Sequence, residues 1–115
     1  MATPDYSTID NLLKHQPVPE DGILPRSLFE DDHVRAVLFT FSKGQCLSEH
    51  TASSPAILHF LDGDALVTLG NETMNVCAGT WIHMKSGLPH SVETKSSVTM
   101  LLLFIKSPKE IAEPR

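Results

Sequence analysis

Two histidines stand at matching places in two glycine-bounded stretches. His50 lies in GQCLSEHTASSPAILHFLDG, residues 44–63, and His90 ends GTWIHMKSGLPH, residues 79–90. A neutral imidazole donates to borderline divalent ions, and the same ring titrates near neutrality and can act as a general acid or base. Three readings of such a pair follow. As metal ligands, two imidazoles fall short of the three protein donors of an ordinary catalytic zinc site, so a third would have to come from Glu49, His59 or His83. As an acid and a base they would need an orienting group, for which Glu49 and Glu93 are the candidates. As plain pocket residues they would hydrogen-bond to each other through water, or to backbone.

Strands must carry them. Between the two stretches lie alternating runs at 65–69 and 73–77, joined by a Gly70-Asn71 turn, a hairpin that would bring the flanking segments together. Further strand-like runs occupy 23–29, 34–41, 80–84, 91–93 and 98–106, with another starting at Cys46. The run VRAVLFTF at 34–41 hardly alternates, which predicts a strand buried on both faces. Many short strands with turn signals between them predict an all-β sandwich or barrel. Side-chain parity from His50 onward, if no bulge intervenes, puts positions 50, 52, 56, 58 and 60 on one face and Ile57, His59 and Leu61 on the other. Pro55 and Ser53-Ser54 are where a bulge would fall. Candidates for an apolar wall are Phe39, Phe41, Leu58, Phe60, Trp81, Met84, Met100 and Leu102. Ala52 and Ala56 leave space beside His50, which predicts a ligand pocket there.

The spacing resembles the cupin superfamily. Its first motif runs Gly, five residues, His, one, His, three or four, Glu, six, Gly, and Gly44, His50 and Gly63 fall on it, with Ala52 and Ala56 in place of the second His and the Glu. Its second runs Gly, five, Pro, one, Gly, two, His, three, Asn. Gly79, Gly87 and His90 match, while Lys85 and Thr94 replace the Pro and the Asn. LFTFSKGQCLSEHTA and VTMLLLFI look like the branch of small single-domain, conserved-barrel cupins. The resemblance implies a double-stranded β-helix (jelly-roll) barrel whose mouth binds a small molecule, with the pocket at His50, His90, Ala52, Ala56, Phe41, Leu58, Phe60, Trp81 and Met100. Of the metal ligands of complete cupins only His50 and His90 carry over, so one divalent transition metal (Zn, Fe, Mn or Ni) is optional. The alternative is a metal-dependent oxygenase, isomerase or lyase. A homodimer is expected from the resemblance and from the run 57–61, apolar on both faces.

The remainder of the chain sets bounds. At 115 residues it suits one domain, read as an N-terminal arm at 1–20, the barrel at 21–107 and a charged tail at 108–115. A net charge of -5 without a basic cluster speaks against nucleic acid. No apolar run reaches the ~20 residues of a spanning helix, and no export signal opens the chain, so no membrane partner and a cytoplasmic location are expected. Cys46 and Cys77 read as small packing residues. In the arm, Ser7 or Thr8 would cap a short helix carrying Ile9, Leu12 and Leu13. Glu30-Asp31-Asp32 reads as a solvated acidic turn.

Overall fold

The computed structural model describes residues 5–106, so the expected tail at 108–115 lies outside the described residues. These form one helical turn, α1 (Leu12–His15), and nine strands: β1 (Ile23–Glu30), β2 (Val34–Phe41), β3 (Cys46–His50), β4 (Ala56–Asp62), β5 (Ala65–Leu69), β6 (Glu72–Val76), β7 (Trp81–Met84), β8 (His90–Thr94) and β9 (Val98–Ile105). All pairings are antiparallel, in a five-stranded sheet of order β1-β2-β9-β4-β7 and a four-stranded sheet of order β3-β8-β5-β6. The expected strands are present with ends differing by a residue or two, except that the run read with one parity from Cys46 to Leu61 divides into β3 and β4, which lie in different sheets.

Alternation explains which face each strand buries. In β4, Ala56, Leu58 and Phe60 are buried while Ile57, His59 and Leu61 are half-buried, and in β7 Ile82 and Met84 are buried while Trp81 and His83 are exposed. The inward residues of the larger sheet, among them Phe41, Leu58, Phe60, Met100 and Leu102, meet Ala65, Val67, Val76 and Val92 of the smaller one in a single core. Side chains of two facing sheets fill the space between them, the usual solution for an antiparallel sandwich. The two sheets are not joined into one hydrogen-bonded ring.

β2 is buried on both faces over its second half, as its composition predicts, and the agent is the arm. Leu38 and Thr40 point away from the core, yet are almost fully buried. Gln16, 4% exposed, lies across them: its Nε2 donates to the Leu24 carbonyl at 2.8 Å and to Thr40 Oγ1 at 3.0 Å, and the Thr40 hydroxyl donates to the Pro17 carbonyl at 3.0 Å. Its Oε1 finds no hydrogen-bond partner among the described residues, which offsets part of the gain. Gln16→Ala is therefore expected to lower unfolding free energy by about 1 kcal/mol in urea titrations. It should also speed proteolysis within the arm without altering the barrel's amide spectrum.

Two local expectations are corrected. The helix cap is Asn11, whose Oδ1 accepts from the Leu13 backbone N–H at 3.0 Å, not Ser7 or Thr8. An Asn side chain satisfies an orphan helix N–H as well as a hydroxyl does, and here it immediately precedes the turn. Cys46 and Cys77 are both exposed rather than packed. Cys46 opens β3 on its outer parity and Cys77 follows the last residue of β6, where neither can reach the core. The acidic turn is solvent-facing and ordered by its own bonds: Asp31 Oδ1 accepts from the backbone of His33 and Val34 at 2.8 and 3.0 Å, which holds its carboxyl below the usual range.

Candidate functional site

His50 and His90 face each other because β3 carries a bulge. Leu47 pairs with Val92, so a regular ladder would set Glu49 opposite His90 and turn His50 outward. The register slips by one between Leu47 and His50, and His50 itself becomes the partner of His90. The extra residue lies at Ser48-Glu49, upstream of the expected break at Pro55, and it re-aims one side chain as bulges near sites do. The two rings sit 4.2 Å apart between centroids, tilted by 58°.

Each ring is anchored in the same way. His50 Nδ1 lies 2.8 Å from the Ser48 carbonyl oxygen, and His90 Nδ1 lies 2.9 Å from the Leu88 carbonyl oxygen. A carbonyl only accepts, so both Nδ1 atoms carry the hydrogen, and the neutral ring keeps its lone pair on Nε2. His90 is 7% exposed and His50 is solvent-accessible. Thr94, on the same face of β8 as His90, ties the two histidine strands together: its hydroxyl donates to the Ser42 carbonyl at 2.9 Å and accepts from the Gln45 N–H at 2.9 Å. This is a structural use for the position where the second motif has Asn.

The imidazoles open onto a cavity of about 210 Å³ between the sheets. One wall is Leu47 and Val92, the neighbours of the histidines on β3 and β8. The other is a set of cross-strand rows on the larger sheet: Phe39 with Met100, Val37 with Leu102 and Leu58, and Arg35 with Phe104, closed at one side by Pro25. Of the residues expected around a pocket or in its apolar wall, His50, His90, Phe39, Leu58, Met100 and Leu102 line this cavity. Phe41, Phe60 and Ala56 are fully buried in the core instead, and Trp81 is 58% exposed on the outer face of the larger sheet. Ala52 borders a neighbouring hollow that shares Arg35 and Phe104 with the cavity. The alanines do not create the space beside His50, because β3 and β4 belong to different sheets and no parity runs through residues 51–55. Ala56 restarts the count on the larger sheet, opposite Met84 and Phe104.

Arg35, Leu47, Val92 and Phe104 escape the motif reading. For Arg35 a signal was present: in VRAVLFTF it alternates with Val37, Phe39 and Phe41, which sets a permanent cation on a core-facing row.

The donor set does not fit a resident divalent metal. Among the described residues no group of three or more His, Cys, Asp or Glu is placed to hold one, and two imidazoles are fewer than such a site takes from protein. His59 pairs across the sheet with Trp81 and Leu101, and His83 with Ile57, all on the outer face, so neither joins the pair. Glu49 is exposed and displaced by the bulge.

No protein-family model matches the sequence and no curated protein resembles it significantly. Solved structures do. A cupin superfamily protein from Desulfitobacterium hafniense superposes with a TM-score of 0.78 at 19% identity, covering 90% of this chain and 94% of its own. The chain folds as a cupin. A cupin 2 conserved barrel domain protein from Leptotrichia buccalis, 26% identical, matches 84% of this chain with a TM-score of 0.78, over 47% of its own length. A conserved protein of unknown function from Streptococcus pyogenes is 27% identical over 90% of this chain and 91% of its own chain, with a TM-score of 0.80. No helix among the described residues is long and apolar enough to cross a membrane.

Proposed function

We propose that this cupin binds a small organic molecule in the cavity beneath His50 and His90, the two imidazoles acting as fixed hydrogen-bonding groups. The observation that carries the reading is the β3 bulge, which spends a register slip to set His50 against His90 at the edge of an apolar cavity. Bulges that re-aim one side chain belong to sites more than to plain packing. With Nδ1 committed to a carbonyl, each neutral ring offers Nε2 as an acceptor of fixed direction. Apolar walls with a few polar groups are the usual composition of a small-molecule site.

The test is a thermal-shift and NMR screen against small metabolites, repeated on His50→Ala. His50 is exposed, so its truncation should leave the fold intact. A ligand that perturbs the amides of Leu47, Val92 and Met100 should lose about tenfold or more in affinity in that variant, the effect of about 1.4 kcal/mol of lost hydrogen bonding. Undiminished binding to His50→Ala and to His90→Ala together would place the site elsewhere.

A further inference from the structure

We propose that the occupant of this cavity is a small monocarboxylate with an apolar body, and that Arg35 is the residue that pairs with its acid group. The inference rests on the preceding reading of the cavity as the binding site and adds the ligand's charge class.

Arg35 occupies an inward row position of β2, opposite Phe104 on β9, where the space between the sheets opens to solvent. The other inward positions of the strand, Val37, Phe39 and Phe41, are apolar. Its guanidinium carbon lies 5.9 Å from the centre of the Phe104 ring, so the ring steadies it at the cavity mouth. Yet the head is not consumed. Among the described residues no hydrogen bond from the Arg35 side chain is made, and its nearest acid is Glu30, whose Oε1 stands 4.0 Å from Nε at the limit of an ion pair. Glu30 is engaged elsewhere: Lys106 Nζ reaches its Oε2 at 2.8 Å, and that hydrogen bond is the main cause of its lowered pKa, with Arg35 the smallest contributor. The forked donors of Arg35 are therefore free for a planar acceptor, and a carboxylate is the acceptor whose geometry they match.

Charge and size narrow the choice. Among the described residues no acid lines the cavity; the polar groups there are one permanent cation and two imidazoles, in a chain whose net charge is -5. A cationic ligand would meet the guanidinium of Arg35 with no acid beside it on the described lining of the cavity, whereas an anion would meet an opposite charge. At about 210 Å³ the space lies below the ~300 Å³ at which pockets for drug-sized ligands begin, which points to a short branched chain or a single ring. Phe39, Leu58, Met100 and Leu102 supply the apolar surface for that body.

The experiment compares matched pairs by NMR titration of the full chain: benzoate with benzamide, isovalerate with isovaleramide, and inorganic phosphate as an anion without a body. At least one acid should bind about tenfold more tightly than its amide and than phosphate. Arg35→Gln should erase that difference, and Arg35→Lys should keep part of it. Equal binding of acid and amide, or a preference that survives Arg35→Gln, overturns the proposal, and so does failure of both acids to bind. Loss of all binding in His50→Ala while Arg35→Gln has no effect would overturn the anion assignment and leave the site reading standing. Binding that moves no resonance of Leu47, Val92 or Met100 would overturn both.

Discussion

Gly63→Ala is expected to lower unfolding free energy by about 4 kcal/mol or more, placing it among the largest single-residue effects. Gly63 ends the first motif in the bend between β4 and β5, at φ +92°, where a side chain is disfavoured by about 1–2 kcal/mol. A methyl group there would overlap the Ser97 carbonyl oxygen and stand 2.9 Å from both Cα and Cγ2 of Val98. Those atoms open β9, the strand between β2 and β4, and Val98 is itself buried, so the neighbours cannot retreat without disturbing the sheet centre. Gly79 separates the two contributions. It has φ +95° but nothing within 4 Å of its added carbon, so Gly79→Ala should cost only the conformational share, about 1–2 kcal/mol. Urea unfolding of the two variants measures the difference directly. Equal midpoints would mean that the packing at Ser97 plays no part.

That contrast bears on what the residues alone could reveal. The motif glycines were legible because a glycine needed at positive φ leaves a visible mark in a sequence, and Gly44, Gly63, Gly79 and Gly87 all adopt it. The strands were legible because β4, β7 and β8 alternate cleanly, one side chain in and the next out. The pairing of His50 with His90 was anticipated from the spacing, but the means was not. A bulge at Ser48-Glu49 carries no Gly or Pro to announce it, since any residue can sit unpaired in a strand facing solvent. Counting parity through residues 51–55 then transferred the wrong neighbours to His50, because the chain changes sheets there. That count places Ala52, Ala56 and Phe60 beside His50, while Phe41 and Trp81 follow only from their apolar character; the cavity's wall on the larger sheet comes mostly from β2 and β9, with Leu58 of β4. Arg35 escapes for a different reason: alternation puts it on the row of Val37, Phe39 and Phe41, but a charge within an apolar run is usually read as the solvent side of a strand, and the β2-β9 register sets it beside Phe104.

Phe60→Ala should cost about 3–5 kcal/mol, and Leu58→Ala, two residues along the same strand, about 2–3 kcal/mol. Both side chains point inward from β4, at 0% and 2% exposure, so the difference does not come from burial. Phe60 is surrounded on every side by the core and does not touch the cavity, and its removal leaves a closed void that dispersion contacts no longer fill. Leu58 already presents one side to the cavity, where it has no partner atoms to lose. Truncating it merges new volume with old and enlarges the site, so that a ring too large for the wild-type cavity should bind Leu58→Ala and not Phe60→Ala. Unfolding in urea and NMR titration with naphthoate against benzoate read the two consequences. If Leu58→Ala proves as costly as Phe60→Ala and gains no larger ligand, the space between the sheets is packed shut in solution, and a ligand could enter only by displacing core side chains.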